Sequence, residues 1–147
     1  MNTNLRFFFL EGKMIDIAEV IEEKIKNAVA GIDGIIGLMK YYKPTQYPSY
    51  CIEAGITEVQ YKHISTLATE KPFFTLNYIE QVINQDLNPD TRYFLKNAQA
   101  IVEELKTDLS LNGLVTKFEM RTKMYIREQE IKENIFEIKI MIDERRD

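Results

Sequence analysis

The clearest alternation of apolar and polar positions in this chain lies between Leu114 and Ile142. Leu114, Thr116, Phe118, Met120, Thr122, Met124 and Ile126 occupy every second position, with Lys117, Glu119, Arg121 and Lys123 between them. Phe136, Ile138, Ile140 and Ile142 alternate in the same way with Glu137, Lys139 and Asp143. Successive side chains of a strand point to opposite faces, so the pattern predicts two amphipathic strands, each with one apolar and one charged face. A ribbon of this kind covers a core and presents charge outward, as interaction proteins and ring subunits commonly do.

Helical spacing occurs twice. Ile17, Val20, Ile21, Ile25 and Ala28 recur at steps of three and four while Glu19, Glu22, Glu23, Lys24 and Lys26 fill the remaining positions, which predicts a helix from Met14 to about Ala30 that packs by one side. Gly31, Asp33-Gly34 and Gly37 break it, and a strand from about Ile35 to Tyr42 is expected next. A second stripe, Phe94, Leu95, Ala98, Ile101, Val102 and Leu105, predicts a helix ending near Thr107. Its start is expected at Asn88-Pro89, with Asn88 as cap, Asp90 as competing cap, and proline in the first turn, where no amide hydrogen is needed. Gly113 supplies the turn into the terminal strands.

Between the helices, Pro44 and Pro48 bracket a connection rich in tyrosine (Tyr41, Tyr42, Tyr47, Tyr50), followed by a short strand from Tyr50 to Glu53. Glu58 to Leu67 has no clear period and reads as an irregular segment or a short strand. Phe73 to Asn84 predicts a strand with Phe74, Leu76, Tyr78 and Val82 on one face and a wetter face carrying Thr75, Asn77 and Gln81. The order is therefore helix, strands, helix, strand, strand. It predicts an α+β fold, a mostly antiparallel sheet with helices packed on one face and a terminal β-hairpin after the second long helix. A chain of 147 residues fits one domain with a sizeable core. Residues 1–13, with Leu5, Phe7, Phe8, Phe9 and Leu10, read as an N-terminal arm, residues 14–147 as a single α+β domain, and Glu144 to Asp147 as a solvated tail within it.

Composition narrows the function classes. Hydrophobic content of 45% with 29% charged residues is ordinary for a globular protein, and no apolar stretch is long enough to span a bilayer. The run Leu5 to Leu10 lacks the long apolar centre and small-residue cleavage site of a secretory signal. Cys51 is the single cysteine, which fits a reducing cytoplasm and reads as a small apolar side chain. A net charge of −4 opposes nonspecific attachment to phosphate backbones.

Candidate chemistry is sparse. One histidine, His63, and one cysteine cannot assemble the usual zinc sites, so His63 reads as a surface or loop residue. Ser49, Ser65 and Ser110 lack a nucleophile-elbow context. Gly31, Gly34 and Gly37 follow a helix and lack a Lys-Ser/Thr, so they are turn residues and not a phosphate cradle. Glu53, Glu58 and Gln60-Tyr61-Lys62 are similar to the acid, Gln-x-Lys end of a metal-dependent nuclease core, in which clustered acids hold magnesium and a lysine stands near the attacking water. No upstream aspartate pairs with Glu58. No catalytic, cofactor or metal residue is assigned. Arg121, Lys123 and Arg127 against Glu128, Glu130, Glu133 and Glu137 form either cross-strand pairs on a wet face, each worth roughly 0.2 to 1 kcal/mol, or, in a ring, the coat of a channel or a surface for the next subunit.

The stretch Asn97-Ala-Gln-Ala-Ile-Val-Glu-Glu-Leu-Lys-Thr-Asp-Leu-Ser-Leu-Asn-Gly-Leu-Val115, followed by paired strands, resembles the C-terminal half of tailed-phage tail terminator and tail-completion (neck) proteins. There a helix ending in a short leucine-bearing loop and a glycine leads into a strand, and the last strand returns beside it; here Leu109, Leu111, Gly113 and Leu114 hold those places. The front is also similar, with a helix from Ile15 to Ala28 and a strand near Tyr47-Pro48. The Phe-rich arm and the segment Glu58 to Lys71 lie outside the likeness. The resemblance implies a virion structural protein, a homohexameric ring without active site or cofactor. Such a ring caps the tail tube protein and joins it to a head-neck connector or stopper protein, and genome DNA passes its lumen without specific binding. It implies assembly in the host cytoplasm, a final place in the tail or neck, and no membrane partner. Candidate interface residues are Phe7, Phe8, Phe9 and Leu10 of the arm and Lys117, Glu119, Arg121, Lys123, Arg127, Glu137 and Lys139 of the strands. A nuclease-like enzyme using Glu53, Glu58 and Lys62, and a cellular α+β adaptor protein, are the alternative readings.

Overall fold

The computed structural model describes residues 3–57, 71–82 and 91–143. Helix α1 (Thr3–Ala28) leads to strand β1 (Asp33–Ile36), a single 3-10 turn (Met39–Tyr41), β2 (Ser49–Thr57) and β3 (Lys71–Gln81). Helix α2 (Arg92–Lys106) precedes the hairpin of β4 (Lys117–Glu128) and β5 (Lys132–Asp143). The strands form one five-stranded sheet in the order β1-β2-β3-β5-β4. Among the described residues only β1 and β2 pair in parallel; the other pairs are antiparallel. The chain is thus an α+β protein with a mostly antiparallel sheet and a terminal hairpin after α2.

Register explains the core. Tyr50, Tyr78, Phe136 and Met124 lie in one row across the sheet, Ile52, Leu76, Ile138 and Thr122 in the next, and Ala54, Phe74, Ile140 and Met120 in the third. Directly opposed residues share a face, so these rows make the helix-bearing side. Ile17, Ile21, Ile25 and Val29 of the α1 side and Phe94, Ala98, Ile101 and Leu105 of α2 bury against it. Their four-residue steps, with Ile101 three beyond Ala98, keep them on one stripe of each helix. Each fully buried isoleucine or leucine contributes about 1.5 to 3 kcal/mol of transfer free energy. Tyr78 stacks on Phe94 with centroids 5.6 Å apart, and Phe94 meets Phe136 edge-on at 6.5 Å. Tyr50 ties α1 to the sheet by donating its hydroxyl to Glu22 Oε2 at 2.6 Å.

Several boundaries differ from the sequence reading. Helix α1 starts at Thr3 and not near Met14, so the stretch read as an arm is helical from there on. Gly12 in its interior lowers helix propensity by about 1 kcal/mol relative to alanine but does not stop the helix. The strand expected over Ile35 to Tyr42 ends at Ile36, because the chain turns at Gly37, whose amide donates to the Ile52 carbonyl at 2.9 Å, and then closes the 3-10 turn. Strand β2 is longer than Tyr50 to Glu53. Helix α2 begins at Arg92, with Thr91 preceding it and no side-chain cap bond. Leu95, placed in its core stripe, is exposed. The expected cap residues Asn88, Pro89 and Asp90, the segment Glu58 to Leu67 and the tail Glu144 to Asp147 lie outside the described residues.

The hairpin starts later than the alternation suggested. Leu114 and Thr116 precede β4, and it is Val115 that is buried. The linking loop carries three consecutive left-handed residues, Leu111, Asn112 and Gly113, at φ 49, 60 and 80°. Burial of the Leu111 side chain anchors it, and Asp108 stabilises it by accepting from the Ser110 hydroxyl and the Ser110 and Asn112 amides. Those bonds, the hydroxyl first, hold the Asp108 carboxyl down to about 2.

Candidate functional site

The sheet's second face was expected to be wet, yet part of it is covered. Residues 37–48 fold back as a strap, and Met39, Tyr42 and Tyr47 close over Cys51, Ile79 and Ile135. Asn77, assigned to the wetter face of β3, is therefore only 1% exposed. Its amide nitrogen donates to the Cys51 carbonyl at 3.3 Å, while Asn77 Oδ1 has no partner. Burial, more than the nearby Glu53 carboxylate, pushes the Cys51 thiol up to about 11.

Arg127 holds the strap in place. Its Nε donates to Glu133 Oε1 at 2.6 Å, Nη1 to the Met39 carbonyl at 2.9 Å and Nη2 to the Tyr42 carbonyl at 3.0 Å. The side chains of Arg127 and Glu133 are 14% and 2% exposed, so the pair is largely dehydrated and needs these extra bonds to be stable. Tyr47 donates its hydroxyl to the other Glu133 oxygen at 2.7 Å, and its own ionisation is pushed up to about 12 by burial and by that carboxylate. The Met39 amide donates to Glu53 Oε2 at 3.0 Å. Because Ser49 Oγ donates to the Asp33 carbonyl, the 2.5 Å contact between Tyr42 and Ser49 has the tyrosine as donor.

These contacts decide how the candidate residues stand. Lys117, Glu119, Arg121, Lys123 and Arg127 of β4 and Glu137 and Lys139 of β5 do share the outer face. Arg127 is spent on the strap. Lys123 and Glu137 pair at 3.5 Å, and Lys139 lies over the Phe73 ring at 4.5 Å from its centroid. Arg121 is exposed, directly opposite Lys139, and among the described residues it joins no ion pair. Phe7, Phe8, Phe9 and Leu10 fall in the first turns of α1. Of the nuclease-like set, Glu53 is engaged by the strap, while Glu58, Lys62 and also His63 and Ser65 lie outside the described residues. Among the described residues no group of three or more His, Cys, Asp or Glu side chains could hold a metal ion, and no helix is long and apolar enough to cross a membrane.

The helix-bearing side of the hairpin is only half roofed. Phe118 is buried and Met120 partly covered, but α2 reaches outward only as far as Phe94 on Phe136. Beyond that, Met124 and Ile126 are 57% and 56% exposed, and Tyr125 and Ile131 show apolar surface at the same end. Strand β4 forms one edge of the sheet. At the opposite edge, an open groove of about 730 Å³ runs between α1 and β1, with Val20, Ile36 and Leu114 in its lining and Asp16, Glu19 and Glu23 among its acids. Neither the strap nor the bare end of β4 stands out in the sequence, because both depend on which parts of the chain come to lie above the sheet. No protein-family model matches this chain, and no curated protein is significantly similar to it.

Proposed function

We propose that this protein is a non-enzymatic structural subunit of the tail terminator or neck class, which assembles into a ring between tail tube and head-neck connector in the virion. The observation that carries this reading is the unroofed half of the hairpin, where Met124 and Ile126 continue the core's own apolar rows into the open. Exposed apolar rows that extend a core mark a face meant to be covered by another molecule. The element order through α2, the leucine-bearing loop, Gly113 and the hairpin supports the class, since it is the arrangement the sequence resemblance implies. A closed ring needs two different patches on each subunit, and the two sheet edges differ as required, one beside an acidic groove and one carrying the exposed apolar side chains of Met124 and Ile126.

Native mass measurement with negative-stain imaging of the purified protein tests the proposal. A sixfold ring that binds isolated tail tubes is the expected outcome. A monomer at every concentration with no affinity for tubes refutes it, and magnesium-dependent DNA cleavage abolished by Glu58→Ala would replace it with the enzyme reading.

A further inference from the structure

The strap carries side chains that its covering role does not use. Its turn from Leu38 to Tyr41 is closed by the Tyr41 amide donating to the Leu38 carbonyl at 3.2 Å, and of these residues only Met39 is buried. Leu38 and Tyr41 stand outward at 59% and 71% exposure, the most exposed leucine and tyrosine among the described residues. Lys40 lies over the Tyr41 ring, 5.6 Å from its centroid, and Lys43 follows. From Gly34 to Ile52 the sequence holds these two cations and no acid. The turn is also held rigid, since Arg127 binds the Met39 and Tyr42 carbonyls and Glu53 the Met39 amide. A knob fixed in this way loses little freedom when it docks.

The groove between α1 and β1 is the complement of that knob. Val20, Ile36 and Leu114 supply its apolar lining, and the acids Asp16, Glu19, Glu22 and Glu23 outnumber Lys26 in its walls. Residues 16 to 23 contain these four acids and no base. Glu22 accepts from the Tyr50 hydroxyl, whereas Glu19 and Glu23 are exposed and lie one helical turn apart on the rim. With about 730 Å³ the groove has room for two large side chains. It lies on the helix-bearing side of β1, in line with the Ile36 and Ile52 pair, while the strap crosses the other face over Cys51. The turn therefore does not fill the groove of its own chain, and opposite charges with matching apolar surface stand on two separate patches of one molecule.

We infer that the turn from Leu38 to Lys43 of one copy docks in the groove between α1 and β1 of a second copy. Leu38 and Tyr41 cover Val20, Ile36 and Leu114, and Lys40 and Lys43 meet Glu19 and Glu23. The apolar anchors supply most of the affinity, while the charges at the rim set orientation and speed of encounter. This contact leaves the bare end of β4 to a different molecule. It shares with the proposed function that copies associate, but it requires neither six subunits nor a tail tube.

The experiment follows self-association of the full chain by sedimentation velocity over a range of concentrations, with amide hydrogen exchange to map the contact. One variant carries Lys40→Glu and Lys43→Glu, a second carries Glu19→Lys and Glu23→Lys; all four positions are exposed, and circular dichroism checks that both variants fold. The expected result is that the unmodified chain associates less tightly as salt is added, and that each variant alone associates at least about tenfold more weakly. An equimolar mixture of the two variants should recover the association, because the reversed charges are again complementary. Tyr41→Ala should weaken it as well, and association should slow exchange in residues 36 to 43 and in α1. A monomer at every concentration, association indifferent to both reversals, a mixture that recovers nothing, or protection that maps elsewhere overturns the inference. Binding of the turn to anionic vesicles or single-stranded DNA without self-association does so too, since it makes another molecule the occupant. A sixfold ring that survives both reversals leaves the proposed function standing and removes this inference; a dimer broken by either reversal and rescued by the mixture, without affinity for tail tubes, does the reverse.

Discussion

Replacing Arg127 by methionine tests whether one guanidinium holds the outer layer together. Methionine keeps most of the apolar stem but removes donors to Glu133, to the Met39 carbonyl and to the Tyr42 carbonyl. Glu133, at 2% exposure, would keep only the Tyr47 hydroxyl as a side-chain partner. Stranding one member of a buried ion pair costs 3 to 5 kcal/mol, and the low end applies here because the strap can lift and admit water, so about 3 kcal/mol is expected. For a domain of this size that corresponds to a fall in Tm of roughly 6 to 12 °C. Urea titration followed by tyrosine fluorescence measures the free energy, and hydrogen exchange of residues 37–48 reports whether the strap lifts. Arg127→Met combined with Glu133→Leu should recover much of the loss, because the stranded charge is gone, although Tyr47 then lacks its acceptor at a cost of about 1 kcal/mol. A single mutant that loses less than about 1 kcal/mol with unchanged exchange in the strap would refute the reasoning.

Other expectations concern the two faces of the sheet. Ile138→Asp places a carboxylate in a fully buried site among Leu76, Thr122 and the helices, and Phe118→Asp does the same near Ile142; both should abolish cooperative folding by circular dichroism. Gly34→Ala puts a Cβ 2.1 Å from the Tyr50 carbonyl oxygen, so β1 must shift off β2, with a loss of about 1 to 3 kcal/mol in urea unfolding. Cys51 should react with a thiol reagent at pH 8 far more slowly in the folded than in the urea-unfolded protein, because its thiol is buried and raised to about 11. The sign for stability follows: the unfolded chain gives up this proton at lower pH than the folded one, so the thiol's contribution falls as pH rises above the ordinary thiol value.

Local periodicity carried much of the fold. The stripes Ile17 to Ala28 and Phe94 to Leu105 and the alternation Phe136 to Ile142 each lie within one element, and a single element is enough to fix them. Boundaries were less legible: the run before Met14 looks like an arm by its place near the chain end, yet nothing in it forbids helix, and α1 passes through Gly12. The burial of Asn77 and Ile79 could not be read from β3 at all, since the cover comes from the tyrosine-rich loop, 30 or more positions earlier in the chain. The charges of Arg127 and Glu133 look like any surface pair in the sequence; what makes them internal is that strap. Conversely, Met124 and Ile126 read as core because their spacing matches Phe118 and Met120, and only the reach of α2 leaves them uncovered.

The placement of β5 has a consequence for biosynthesis. This strand is the last of the five in chain order, yet it is inserted between β3 and β4 and is an inner member of the sheet. Until Lys132 to Asp143 emerges, β3 lacks its neighbour, the apolar side of β4 has nothing to zip against, and Arg127 has no Glu133 to grip. The protein therefore cannot mature from its front end backward; its layers close together only once β5 has been made, and a chain interrupted before Lys132 would be left with a sticky, half-built sheet.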